Sequence, residues 1–402
     1  MFALKKLAHN IAIAVTRFVA NFLPDRSPVT FIGPGSSEQL CSAIGQAGFR
    51  KCLIVTDRGL VDLGLIARIT APLEAAGVAC TIYDGVEPDP TTIHVHEGLA
   101  KLREARCDSV LAVGGGSPMD AAKIIATMAT NDKPLHKLEG LFKVRQLPLP
   151  LFAIPTTAGT GSEVTVAAVV SDPDTHIKKF FVDHKLIPTM TALDASLMTG
   201  LPAHITAATG MDALTHAVES FLAPTSTKQT EQFATLAVRL IFNNLTTAYS
   251  QGDNISARSA MALASYYAGM AFTRTGVGYV HAIAHNLGAQ YGTPHGWANA
   301  VVLPQILDFS AETAGGRLAQ LADIAGLEGL ENASEADKAQ AFIAAVREMM
   351  DKVGIAPTLP ALQQIHIESI AKRALAEAQA NYPVPRFMDQ TQCEAVLKRL
   401  LA

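Results

Sequence analysis

Apolar positions follow two rhythms along this chain. Between residue 28 and about residue 200, short apolar runs read as strands at Cys52–Thr56, Cys80–Tyr83, Ser109–Val113 and Leu151–Ile154. Between them lie stretches rich in Ala, Leu and charge, such as Val61–Ala76 and His94–Ala105, which predict helices. Strands separated by helical patterns of about ten to fifteen residues imply βαβ units and a parallel sheet. After Leu201-Pro202 the strand rhythm ends. Residues 203–402 carry apolar positions at a period near 3.6, with Gly and Pro at the joints, and predict helices alone. No internal repeat or long linker interrupts either half.

Residues 1–27 stand apart as an N-terminal extension. MFALKKLAHNIAIAVTRFVANFL is basic and has no acid before Asp25, but Arg17 breaks the apolar run and no A-x-A cleavage site follows. A membrane-spanning helix needs about 20 apolar residues, which this segment lacks. It reads as an amphipathic helix lying on its own protein or on a partner subunit, with contact to a membrane surface as the alternative.

Composition narrows the class. The 402 residues suggest two or three domains; 49% hydrophobic against 17% charged residues exclude a disordered or fibrous chain. A net charge of −4 offers no basic footprint for nucleic acid. The five cysteines are scattered and contain no CxxC pair, which argues against disulfides and thiolate zinc sites and suits a cytoplasmic protein.

Two glycine-rich turns carry the first chemistry. In SVLAVGGGSPMDAAKIIA a buried strand runs into Gly114, Gly115, Gly116 and Ser117, and Pro118 sits in the first turn of the next helix. Glycines admit a ligand close to the backbone, and the helix end presents free N–H groups and a positive dipole, a seat for pyrophosphate. Asp120, three residues after Ser117, suits a capping-box partner. The turn is not the G-x-G-x-x-G fingerprint. A second loop, Pro155–Glu163, offers Thr156, Thr157, Thr160 and Ser162 either to phosphate or ribose or to an ST turn. Asp57, closing the strand CLIVT, is the type of carboxylate that accepts from a ribose hydroxyl. It precedes the glycines by 57 residues, an order unlike the ordinary dinucleotide fold, where the acid follows them.

A second constellation lies in the helical half. Asp212 and His216 are four residues apart, as are His281 and His285, so each pair shares one helix face. His295, between Pro294 and Gly296, reads as a loop residue. One Asp with several His, and no thiolate, suits a divalent first-row ion such as Fe²⁺, Zn²⁺, Mn²⁺ or Co²⁺. Asp212, His216, His281 and His295 form the candidate ligand set, and His285 stands beside it either as a neighbour of the metal or as a core residue. His204 and His176 read as solvated.

The segments GGGSPMDAAK (114–123), IPTTAGTGSEVT (154–165), ATGMDALTHAVES (208–220) and GYVHAIAHNLGAQYGTPHG (278–296) resemble, in order and spacing, the iron-containing (group III) alcohol dehydrogenase family. The resemblance implies a dehydroquinate synthase-like two-domain plan: an α/β, Rossmann-like dinucleotide-binding domain over 28–202, then an all-α metal-binding domain over 203–402. It also implies NAD as cofactor, iron as the metal with zinc or another divalent ion as alternatives, and a homodimer. Position by position, Asp212, His216, His281 and His295 match the family's metal ligands, and His285 matches a histidine given a proton-relay role. Gly115, Gly116, Ser117 and Asp120 match the pyrophosphate loop, and Thr156, Thr157 and Thr160 the second cofactor loop. Lys179 matches a lysine near the cofactor ribose, Asp57 an acid that favours NAD, and Asp89 a position near the adenosine. Phe272 resembles a residue lining the substrate pocket. Residues 1–23 have no counterpart in the shorter members.

The chemistry expected is an NAD(H)-linked alcohol dehydrogenase or aldehyde reductase acting on a small molecule, with a glycerol-, diol- or lactaldehyde-type oxidoreductase of the same family as the alternative. A synthase acting on a phosphorylated sugar acid would need converging Lys and Arg, and segments 208–220 and 278–296 contain none. A purely structural or regulatory metal protein would not need two cofactor loops.

Overall fold

A computed structural model describes residues 26–402 apart from 175 and 176, together with residues 6, 7, 9–11, 13 and 14. The chain forms two compact units, Pro24–Leu201 and Pro202–Ala402, the second taking in the described N-terminal residues.

The first unit is built around a parallel sheet. Its strands are β1 (Val29–Ile32), β2 (Lys51–Val55), β3 (Ala79–Tyr83), β4 (Ser109–Gly114), β6 (Leu151–Pro155) and β9 (Met190–Leu193), in the order β1-β9-β6-β4-β2-β3. All pairings are parallel, with Leu53 opposite Val110 and Ala112 opposite Ala153. Successive strand residues point to opposite faces, and a sheet covered on both faces needs both sets apolar. Leu53, Val55, Val110 and Ala112 enter one core with Val95, Leu99, Ile124 and Ile125. Those partners come from α4 (Thr92–Ala105) and α5 (Gly116–Thr130). Cys52, Ile54, Leu111 and Val113 enter the other with Leu40, Ile44, Ile69 and Leu73, from α1 (Ser36–Gln46) and α3 (Ala67–Ala75). This double burial explains why the strands read as unbroken apolar runs.

Local chemistry departs from the expected pattern in places. Val61–Ala76 is not one helix: α2 (Arg58–Asp62) ends before Gly64, which sits at φ 73, and α3 begins at Ala67. Strands β1 and β9 were too short to stand out, and Asp194 after β9 locks the turn after β1 by accepting from Gly35 N, Ser37 N and Ser37 Oγ. A second, three-stranded sheet joins β5 (Gly140–Leu141), β8 (Lys178–Val182) and β7 (Ala167–Ser171); β5 has only two residues, and Lys178 and Lys179 open β8 and interrupt its apolar run.

The second unit contains α6 (Ala203–Leu222), α7 (Lys228–Ser250), α8 (Ile255–Thr275), α9 (Tyr279–Tyr291), α10 (His295–Ala325), α11 (Glu335–Lys352), α12 (Ile367–Asn381) and α13 (Gln390–Lys398). Helix α6 is the buried axis: residues 210–222 are all buried. A Cβ on Gly210 would lie 2.2 Å from Leu245 Cδ1, and one on Gly296 2.3 Å from Ala208 O. Glycine at these two positions lets α7 and the start of α10 approach the α6 backbone. Among the N-terminal residues described, all are helical and His9 is buried, its Nδ1 3.1 Å from Gln379 O and its ring beside Phe387. The remainder of the expected N-terminal helix lies outside the described residues. All five cysteines are free thiols. Among the described residues no helix is long and apolar enough to cross a membrane.

Candidate functional site

In the helical unit the four-residue spacing places Asp212 and His216 on one face of α6, and α9 brings His281 against them. Ligand atoms of Asp212, His216 and His281 lie within 4.8 Å of one another, and all three side chains are buried. His281 Nε2 is 3.9 Å from Asp212 Oδ1, and His216 Nδ1 is 4.0 Å from Asp212 Oδ2. His295 Nε2 approaches Asp212 Oδ1 at 3.5 Å from a side chain 34% exposed, the open side of the cluster. His295 is not a loop residue: it is the first residue of α10, set there by the close seating of Gly296 on α6. Its ring lies 5.4 Å from that of His281.

These residues fit a divalent cation. His281 Nε2 is buried, faces a carboxylate and has no hydrogen-bond partner, an arrangement that is costly for an imidazole left by itself. Burial holds His281 well below the ordinary histidine pKa, and repulsion from His216, His295 and His285 adds to it. A neutral imidazole carries the lone pair that a metal needs.

Phe272 on α8 stacks on His216 with ring centroids 4.0 Å apart and planes 13° apart. His285 stacks on His295 at 5.3 Å. Its Nδ1 is 2.7 Å from Glu377 Oε1 on α12, which also accepts from Tyr382 Oη at 2.7 Å. His204 is exposed, and His176 lies outside the described residues.

Three further side chains complete the surroundings of these histidines and Asp212. Glu219 meets His281 Nδ1 at 2.6 Å. Its spacing from Asp212 and His216 (i, i+4, i+7) was a readable signal of one helix face. Asn299, four residues after His295, donates to Asp212 Oδ1 at 2.7 Å. Glu377, 92 residues from His285, left no local trace.

In the α/β unit, the strand order explains how Asp57 and the glycine-rich turn come together despite their order in sequence. After β3 the chain returns to the other side of β2, so the order in which strands are added reverses between β2 and β4, which stay parallel. Ligands of open α/β sheets bind at such switch points, beyond the carboxyl ends of the strands. Val55 is paired with Ala112, so Asp57 and Gly114 follow adjacent strand ends despite their separation in sequence. Asp57 also caps α2, its Oδ1 accepting from Leu60 N at 3.0 Å.

The two glycine-rich loops touch each other. A Cβ on Gly115 would lie 3.2 Å from Thr157 Oγ1, and one on Gly116 2.8 Å from Thr160 Cγ2. Gly114 holds φ 150, where a Cβ would also meet Pro118 Cγ at 2.6 Å. Thr156 N donates to Gly114 O at 3.0 Å. Ser117 is half-buried in the first turn of α5, but the N-cap of that helix is Gly115, so the capping box expected of Ser117 and Asp120 does not form. Asp120 instead accepts from Ser162 Oγ at 2.8 Å and Val169 N at 2.9 Å, tying α5 to the second loop. Lys123, one turn on and fully buried, donates to Thr165 O, Thr165 Oγ1 and Ala167 O. Asp89, at φ 61, pairs with Lys178 at 3.2 Å, while Lys179 lies 3.6 Å from Asp172 and 3.9 Å from Glu139.

Comparison with known proteins bears on both halves. Residues 27–195 match the sequence profile of iron-containing alcohol dehydrogenases, and residues 206–401 that of the Fe-containing alcohol dehydrogenase family's C-terminal part. The chain belongs to the iron-containing alcohol dehydrogenase family. Members of this family use iron and NAD(H), and the chain is an oxidoreductase of the alcohol dehydrogenase type. It is 38% identical to 1,3-propanediol dehydrogenase of Klebsiella pneumoniae over 92% of its own length and 96% of the relative's. Lactaldehyde reductase of Escherichia coli K12 is 41% identical over 71% of this chain and 75% of its own. A crystal structure of a 1,3-propanediol oxidoreductase superposes with a TM-score of 0.91 at 37% identity, covering 93% of this chain and 98% of that one. The α/β unit followed by a helical unit is thus the fold of this dehydrogenase family.

Proposed function

We propose that this alcohol dehydrogenase binds its divalent iron through Asp212, His216, His281 and His295, and its NAD through the two glycine-rich loops. The observation that supports this most is the convergence of three buried donor groups within 4.8 Å, one a histidine nitrogen with no hydrogen-bond partner. A cation held there would supply Lewis acidity, making an alcohol hydroxyl more acidic or a carbonyl more polar, and bound NAD(H) would supply the hydride acceptor or donor.

The chain's own residues do the positioning. Backbone N–H groups at the start of α5 and the hydroxyls of Thr156, Thr157 and Thr160 hold the pyrophosphate, with Gly114, Ser117 and Asp120 shaping that seat. Asp57 accepts from the adenosine ribose, and Asp89 and Lys179 lie further along the dinucleotide. His285, with Nδ1 held by Glu377, presents Nε2 as the atom that accepts or returns the hydroxyl proton.

The substrate is a small uncharged alcohol or aldehyde. Phe272 gives the site an apolar wall against His216, and the segments carrying the ligands contain no Lys or Arg to receive an anionic group. Relatives named for 1,3-propanediol and lactaldehyde favour short diols and hydroxyaldehydes over long-chain alcohols. The enzyme works as a cytoplasmic homodimer. Initial rates with NAD across primary alcohols, 1,2- and 1,3-diols and the matching aldehydes with NADH, alongside elemental analysis of the purified protein, test the reading. Turnover without bound metal would refute it.

A further inference from the structure

Glu219 is a buried acid that neither carries hydride chemistry nor belongs to the proposed ligand set, yet it is fully committed. Its Oε2 accepts from Gly278 N at 2.8 Å and its Oε1 from Val280 N at 2.8 Å. The third contact is His281 Nδ1, 2.6 Å from Oε2. The backbone groups can only donate, so both oxygens accept from them, and in its carboxylate form Glu219 accepts from His281 Nδ1 as well. An acceptor at Nδ1 requires the proton on Nδ1, which leaves the lone pair on Nε2. That Nε2 is the buried atom that faces Asp212 at 3.9 Å without a hydrogen-bond partner. The geometry is built to admit this carboxylate: a Cβ on Gly278 would fall 2.7 Å from Glu219 Oε1. Helix spacing completes the arrangement, since Asp212, His216 and Glu219 leave the same side of α6.

We infer that Glu219 is a positioning residue for the metal: it fixes the tautomer and ring orientation of His281 so that Nε2 is ready to coordinate. Partners of this kind, one bond beyond the ligands, typically alter metal affinity about 10- to 100-fold when changed. The inference rests on the proposed metal centre and adds to it a residue that never touches the ion. A plain helix cap would also use the N–H groups of Gly278 and Val280, but it has no need of the histidine.

The test uses full-length metal-free protein titrated with Zn²⁺ or Co²⁺ alone. Glu219→Leu keeps much of the side-chain volume and removes both oxygens, so His281 Nδ1 loses its acceptor. Zn²⁺ affinity is expected to fall 10- to 100-fold, and ¹⁵N spectra of the histidines should show His281 protonated at Nδ1 in the wild type and at Nε2 in the variant. Gly278→Ala keeps the acid in the chain but displaces it by steric contact, and it should lower affinity in the same direction even if the Leu variant does not fold. Wild-type Zn²⁺ affinity in both variants, with affinity lost in His281→Ala, would overturn the role of Glu219 alone. Wild-type affinity in His281→Ala would instead overturn the metal centre itself.

Discussion

Replacing Gly116 with alanine probes the contact between the two glycine-rich loops proposed to hold the cofactor. The new Cβ would stand 2.8 Å from Thr160 Cγ2 and 3.4 Å from Thr160 Oγ1. Carbon atoms settle at about 3.5–4.0 Å, so about 1 Å of overlap has to be relieved by moving one loop. The backbone does not resist the change, because Gly116 opens α5 and is not among the glycines at positive φ. Overpacking costs about 1–3 kcal/mol, and the helix propensity of alanine returns up to about 1 kcal/mol. Folding stability is therefore expected to fall by no more than about 3 kcal/mol. Cofactor binding is more sensitive, since a shift of about 1 Å in a positioned group can cost about a hundredfold. The dissociation constant for NADH, read by fluorescence titration, should rise about 10- to 100-fold, equivalent to about 1.4–2.7 kcal/mol. Thr160→Ser removes the one methyl that the new Cβ meets and keeps the hydroxyl that accepts from Ser162 N. The double variant Gly116→Ala/Thr160→Ser should recover most of the affinity, a coupling that a double-mutant cycle measures directly. Gly115→Ala, at 3.2 Å from Thr157 Oγ1, should be milder, and Gly114→Ala should lose folding stability through its φ of 150. Unchanged NADH affinity in Gly116→Ala, or no recovery in the double variant, would refute the reasoning.

Other expectations follow from the same contacts. His281→Ala should lose metal and turnover together, measured by elemental analysis beside initial rates; full metal occupancy with normal rates would remove His281 from the ligand set. His285→Ala should lower kcat while metal stays bound, and equal metal loss in the two variants would make His285 a ligand. Two unit charges about 4 Å apart repel by about 1 kcal/mol in water and about 4 kcal/mol at an effective dielectric of 20, so Asp57 should favour NAD over NADP by tens- to hundredfold. Arg58 does little to offset this, because it already pairs with Asp84 at 2.7 Å and Asp62 at 3.3 Å. Asp57→Gly should raise kcat/KM with NADP, and an unchanged ratio would show that Asp57 serves only as the cap of α2. Glu163 gives a pH signature: burial pushes its carboxyl up to about 7, against backbone and Lys123 contacts that lower it. A raised pKa means the folded state holds a proton that the unfolded state has released, so this group's contribution to stability falls as pH climbs from about 4.5 to 7, by about 3 kcal/mol. Denaturant melts of wild type and Glu163→Gln at pH 5 and 7.5 should converge at the lower pH and separate in the variant's favour at the higher; parallel curves would contradict this.

Much of this protein was readable from the chain alone because helix and strand periodicity is local. The runs at Cys52, Ser109 and Leu151 read as strands because a sheet buried on both faces needs every residue apolar, and neighbouring residues alone produce that pattern. The pairing of Asp212 with His216 was equally legible, since 3.6 residues per turn decides which side chains share a face. The motif resemblance led to the family. The tertiary structure decided what depends on segments far apart in sequence. Only the parallel pairing of β2 with β4 sets Asp57 and Gly114 at adjacent strand ends. Only the packing of α9 and α10 on α6 converges His281 and His295 on Asp212, with Gly296 setting how closely α10 can approach. The partners of buried polar groups were decided there too. Asp120 passed from an expected cap to the bonds with Ser162 and Val169, and Glu219 and Glu377 took the Nδ1 atoms of His281 and His285. A buried donor or acceptor must find whichever partner the fold brings within about 3 Å, and the residues nearest in sequence do not determine which one that is.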